Sequence, residues 1–277
     1  MNWRAIESNR MDIRLESALL LAGLVALLSV MATLIFGADG LLFGPLALGV
    51  FWLVRTRVPL DWVLRAHGAS PVPFDHPASV MFARLVQRAD LHQKVSLFHA
   101  PSRNVNAYTI ANADEAVIVL NSPVFQYFSN EEMAGILAHE LSHVVNRDTQ
   151  FMTTAGSLTT LVSQISFLVI VLSVISLPMA IAQGRVLAYV ATVAFAFFMP
   201  SVAIILQAKL SRAREFAADL GATELLGTPD YLIRALLKLE NYNRPFMLPW
   251  IRRAQNYFGT HPNTLQRVQR LESYTQR

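Results

Sequence analysis

His139-Glu140-Leu141-Ser142-His143 puts two imidazoles one helical turn apart with a carboxylate beside the first. On a helix, residues i and i+4 share a face, so both rings can reach one tetrahedral metal ion. Glu140 is rotated by about 100° from His139, beside such an ion instead of on it. There it can take a proton from an attacking water and pass it on. The chain has no cysteine, which excludes disulfides, thiolate nucleophiles and cysteine metal sites. A catalytic zinc takes three protein ligands and keeps a fourth position open. The best source of a third is Ser211-Arg212-Ala213-Arg214-Glu215-Phe216-Ala217-Ala218-Asp219, where Glu215 and Asp219 are again i and i+4. Two readings stand at this point. The pair is a solvated ion-pair face among arginines, or Glu215 is a ligand and Asp219 accepts a ring N–H from a ligand histidine. Two histidines and a carboxylate suit zinc, although iron and cobalt occupy similar sites.

These residues need rigid elements to hold them. Ser129 with Glu132 three later is a capping box, which opens a helix running to about Asn146. Met133, Ile136, Leu137, Leu141 and Val144 give that helix its packing face. Glu215 and Asp219 fall on a helix from Lys209 to Leu226, stopped by Gly227 and Pro229. Ala78–Ala89 has helical spacing, Asp230–Tyr242 forms another helix, and a last one starts near Asn263. Val95–His99, Val105–Ile110 and Ala116–Leu120 read as short strands separated by turn-like residues, so a small β-meander is expected.

The rest of the chain is unusually greasy. Of 277 residues, 53% are hydrophobic and only 15% charged. Ser17–Val54 contains a single charge, Asp39, and Ala155–Ala208 a single charge, Arg185. A membrane-crossing helix needs about 20 apolar residues. Each block divides at a turn, Gly37-Ala38-Asp39-Gly40 and Gln183-Gly184-Arg185. Four transmembrane helices in two hairpins are therefore expected, the second arm of the first hairpin being short. The first run is too long for a signal-peptide core and is closely followed by another, so it reads as an uncleaved anchor. Arg4, Arg10, Arg14, Arg55, Arg57, Arg65, Arg147, Lys209, Arg212 and Arg214 flank the blocks, and the hairpin loops hold only Arg185. That bias places both termini and both polar segments on the cytoplasmic side. The net charge of +4 is spread over block edges, not along one stripe, and argues against nucleic acid as a partner. The expected organisation is a cytoplasmic N-terminus (1–16), a transmembrane hairpin (17–54), a first cytoplasmic part with the strands and the His139–His143 helix (55–154), a second hairpin (155–208) and a second cytoplasmic part (209–277).

The ordered set Asn106-Ala107-Tyr108, His139-Glu140-Leu141-Ser142-His143, Ser211-Arg212 with Glu215 and Ala218-Asp219, and Thr260-His261-Pro262 resembles the HtpX-type zinc metalloproteases. These are membrane gluzincins related to the CAAX prenyl endopeptidases. The resemblance runs from about Val95 to Leu271 and implies a mainly α integral membrane protein with a cytoplasmic, zincin-type α+β protease domain. It implies one Zn2+ per chain on His139, His143 and Glu215, with Glu140 as general base and acid and Asp219 supporting the site. It places His261 near the cleft, steadying the oxyanion or the substrate carbonyl, and Asn106 and Ala107 on the edge strand where an extended peptide docks. The implied activity is endoproteolysis of misfolded or membrane proteins at the cytoplasmic face of a bacterial inner membrane, in membrane protein quality control. The competing readings are an intramembrane or CAAX-type processing metalloprotease, or a catalytically silent membrane scaffold. Asn130, Glu131, Glu132, Arg147 and Asp148 lie close to the motif and argue for a watery rather than an intramembrane site.

Overall fold

The computed structural model describes residues 3–53, 60–91, 93–112, 114–243 and 262–274. The chain divides into two units, one of residues 15–54 and 151–211, the other of residues 1–14, 55–150 and 212–277.

The first unit is built from long helices. α1 spans Trp3–Phe36, a 3-10 turn covers Gly37–Leu42, and α2 spans Phe43–Leu53. α7 spans Asp148–Ala182 and α8 spans Val186–Leu226, joined through Gly184 at φ +67°. Leu24, Leu28, Met31, Leu158, Val162 and Ala196 form its core. Phe167, Val174, Ile175, Leu187 and Phe197 face outward and exposed, an arrangement that suits hydrocarbon rather than water. Some hydroxyls on these helices bond a carbonyl one turn back, as Thr160 does to Gly156 and Thr192 to Ala188, so these two need no external partner. Among the described residues, three segments are long and apolar enough to cross a membrane: 6–53, 148–182 and 186–226. The two spans expected in the first block fall within one of them. The second arm, α2, has 11 residues, about 16 Å of helix against about 30 Å of hydrocarbon.

The second unit holds the sheet and the chemistry-bearing helices. α3 (Leu60–Ala66), β1 (Ser70–Pro71), α4 (Pro77–Ala89), β2 (Lys94–Ala100), β3 (Ala107–Ala111) and β4 (Glu115–Asn121) precede α5 (Ser122–Tyr127) and α6 (Asn130–Val145). After α8 come α9 (Asp230–Asn243) and α10 (Thr264–Glu272). The expected capping box is present: the Ser129 hydroxyl accepts from the Glu132 N–H, and the Glu132 carboxylate accepts from the Ser129 N–H. His76 caps α4 with a single bond, its Nδ1 accepting from the Ala78 N–H.

The sheet is not the expected meander. Its order is β1-β2-β4-β3, with β2 parallel to β4 and β3 antiparallel to β4. β4 is buried from Ala116 to Asn121 and takes the central place that such burial demands. The connection 101–106 carries the chain past the end of β4, so β3 becomes an edge. The turn at Asn112, whose side chain accepts from the N–H groups of Asp114 and Glu115, returns it to β4. Leu120, Leu137, Leu141, Leu220 and Leu271 join sheet and helices in one core.

Candidate metal centre

α6 presents His139 and His143 from one face, and both rings meet Glu215 from α8. The two Nε2 atoms are 3.2 Å apart. Glu215 Oε2 lies 3.5 Å from His139 Nε2, and Oε1 lies 3.8 Å from His143 Nε2. One ligand-type atom from each of the three residues falls within 4.8 Å of the others. A tetrahedral ion with bonds of roughly 2.0–2.1 Å requires ligand atoms about 3.3 Å apart, so spacing and donor types both fit a zinc-type ion.

The closeness of α6 and α8 has a local cause. A Cβ on Gly221 would lie 2.8 Å from Ser142 Oγ. Glycine there lets the two helices approach, one and a half turns beyond Glu215. Gly135 does the same on the other side of α6, where a Cβ would sit 2.7 Å from the Leu232 N of α9.

Each imidazole is oriented by a carboxylate on its far nitrogen. His143 Nδ1–H donates to Asp148 Oδ2 at 2.7 Å, and His139 Nδ1 lies 3.0 Å from Asp219 Oδ1. A donor Nδ1 leaves Nε2 as the free lone pair aimed at the centre. The carboxylates are held in turn. Arg267 of α10 grips Asp219 through Nε and Nη2, at 2.8 and 2.6 Å, and lies 3.4 Å from Glu215. Arg214 pairs with Asp148 and reaches the Asn146 carbonyl at 3.3 Å. Asp148 reaches back because Arg147 adopts φ +55°, ending α6 and starting α7 within two residues.

Glu140 is buried next to the two histidines. Its Oε2 accepts from the Thr109 hydroxyl at 2.8 Å, and its carbonyl lies 3.1 Å from the same oxygen. Thr109 is on β3, so the carboxylate is tied to the sheet edge. Ala107 opens that strand opposite Leu120, and the carbonyl of Asn106 accepts from the Asn121 N–H at 3.0 Å. Among the described residues, the outer edge of β3 pairs with no strand. His261 lies outside the described residues. Asn263 caps α10 two positions later.

Charge balance at the centre is set by burial against anions. Burial and the Arg267 cation disfavour a charged His139 ring, but its bonds to Asp219 and Glu215 outweigh them and hold its pKa at about 9 without metal. Sequence reasoning missed Asp148, Arg267 and Thr109. Asp148 was signalled only by its place just past the end of the motif helix. Arg267 was signalled by being the charged residue on a stripe otherwise formed by Val268 and Leu271.

Comparison with known proteins agrees with this architecture. Protease HtpX of Legionella pneumophila is 30% identical over 277 residues, covering 94% of this chain and 98% of that protein. A protease HtpX homolog of Burkholderia multivorans is 30% identical over 92% of this chain and 95% of its own length. The crystal structure of S. mikatae Ste24p superposes with a TM-score of 0.57 over 96% of this chain and 66% of that one, at 17% identity, which shows a shared fold. Residues 79–275 match Peptidase family M48 along a stretch that includes both histidines, Glu140, Glu215, Asp219 and Arg267, so the chain belongs to peptidase family M48.

Proposed function

We propose that this chain is a membrane-embedded zinc endopeptidase that cuts misfolded or membrane proteins at the cytoplasmic face, in membrane protein quality control. The observation that carries the reading is the convergence of His139, His143 and Glu215 on one point, beside a Glu140 carboxylate tied to an open strand edge. In this reading the three residues hold one zinc ion. When bound, that ion supplies Lewis acidity, polarising the scissile carbonyl and making water more acidic.

The protein's own residues do the rest. A polypeptide docks extended on the free edge of β3, past Asn106 and Ala107, by adding a strand. Glu140 takes the proton of the attacking water and delivers it to the leaving amine. Thr109 keeps the carboxylate turned toward that position. Asp219 and Asp148 fix the ring orientation of His139 and His143. In this reading His261 steadies the carbonyl oxygen as negative charge develops, the role the family resemblance implies for it.

The arginines flanking both apolar blocks support a cytoplasmic placement of the termini and of the polar segments 55–154 and 209–277. Four crossings follow if α2 passes through a locally thinned bilayer. A bacterial inner membrane is the setting that suits this layout.

The test is purification in detergent with chelator, beside Glu140→Gln, then addition of zinc and an unfolded protein substrate. The parent is expected to cleave only with zinc. The variant is expected to keep zinc and lose roughly 10³-fold or more in rate. Cleavage by the variant at the parental rate, or by the parent without metal, would overturn the reading.

A further inference from the structure

A second cavity borders the last turn of α6 and shares Arg214 with the surroundings of the metal centre. This cavity of about 680 Å³ opens between the N-terminal part of α1, the end of α4, the end of α6 and the C-terminal third of α8, all within the second unit. Arg10, Arg14, Arg88 and Arg214 line it, together with Glu224 and Asn146. Two of the four cations are matched by carboxylates: Arg10 pairs with Glu224, and Arg214 with Asp148 from behind the wall. Arg88 gives a hydrogen bond to the Leu225 carbonyl at 3.1 Å, which leaves its charge uncompensated. Among the described residues no carboxylate pairs with Arg14 or Arg88. The cavity therefore presents two excess positive charges.

We infer that this cavity binds a phosphate-bearing anion, specifically the headgroup of an anionic phospholipid. The guanidinium fork matches phosphate oxygens in geometry and charge. Ile13, Ala217 and Leu220 form an apolar wall beside the arginines, which suits a ligand with a charged head and the start of a hydrocarbon tail. Arg14 stands three positions before the uncharged run that begins at Ser17, and Arg214 six positions after the run that ends at Ala208. Basic pockets beside membrane segments are where anionic headgroups are bound. The lipid source rests on the membrane-embedded reading above. The anion chemistry rests on the cavity alone.

The test uses the full chain in a neutral detergent, with Glu140→Gln in every sample so that self-cleavage plays no part. Binding of short-chain phosphatidylglycerol, short-chain phosphatidylcholine and inorganic phosphate is titrated. Arg214 is left intact because it holds Asp148 at the metal centre. Saturable binding of phosphatidylglycerol, about tenfold weaker in Arg88→Gln and in Arg14→Gln/Arg88→Gln, is expected. The charge-keeping Arg14→Lys/Arg88→Lys should retain most of it. Phosphatidylcholine should bind at least tenfold more weakly. Inorganic phosphate binding as tightly as the lipid, with the same losses in the variants, would keep the anion site and make free phosphate its source. Equal binding of both lipids, or unchanged phosphatidylglycerol binding in the double Gln variant, would overturn the proposal. The readout is binding, so its failure leaves the peptidase reading standing, and a failed peptidase assay leaves this one standing.

Discussion

At the scale of single residues, the site is a chain of polar contacts that runs outward from three ligand atoms. Asp148→Asn should weaken zinc binding roughly 10- to 100-fold, because the amide can present the wrong atom to His143 Nδ1; competition with a chelating dye would read this, and unchanged affinity would remove Asp148 from the account. Thr109→Val should leave zinc content intact and lower the cleavage rate about tenfold or more, while Thr109→Ser restores it. His139 supplies a pH dependence with a definite sign. Its folded pKa of about 9 lies above the ordinary value of 6.5, so in the metal-free chain the charged ring stabilises the fold fully below about 6.5, and that contribution fades as pH rises through 9. Zinc needs the neutral ring, so uptake at pH 7 should release about one proton from His139 and weaken as pH falls. Titration calorimetry in buffers of different ionisation heat measures that proton. The His139–His143 motif could be read from sequence because its geometry is local, one turn of one helix. Glu215 and Asp219 were legible as a pair, and their partnership with those histidines stood as one of two readings of the sequence and as what the family resemblance implied, since that pairing depends on the packing of α6 against α8. Arg267 carried only the weak signal of a charge on the apolar stripe of its helix, and the docking of α10 turns it into the clamp on Asp219.

At the scale of elements, helices were read closely where their stop signals are chemical. The Ser129–Glu132 box starts α6, and Gly227 at φ +76° follows the end of α8. The boundary drawn at Lys209 from composition is a polarity boundary only, because α8 runs unbroken through it from Val186 to Leu226. The three expected strands were found within two residues of their places, but β1 was missed and their order was not foreseen, since strand order is decided by which strand the core buries and not by sequence adjacency. Packing of helices at glycine is another tertiary feature. Gly135→Ala would drive a Cβ into the backbone of α9 at Tyr231 and Leu232, so a loss of about 1–3 kcal/mol of stability is expected. Thermal unfolding in detergent would measure it, and a variant as stable as the parent would mean that α6 and α9 are not in close backbone contact. The ion pair of Arg234 with Glu131, which links α9 to the start of α6, is exposed on both sides and adds little to this.

At the scale of the whole molecule, 277 residues are divided between an apolar helical unit and a polar unit whose segments are interleaved along the chain. The ligands come from both sides of the α7–α8 hairpin, so a single metal centre joins residues 139, 143 and 215 only when the second polar unit is assembled. Metal content measures whether the three residues form one centre. The full-length parent, Glu140→Gln and Glu215→Ala would be purified without chelator, dialysed, and analysed for zinc per chain. About one zinc is expected in the parent and in Glu140→Gln, and a small fraction of that in Glu215→Ala, with all three equally folded by circular dichroism. A Glu215→Ala chain that keeps a full zinc, or a folded parent that holds none, would contradict it.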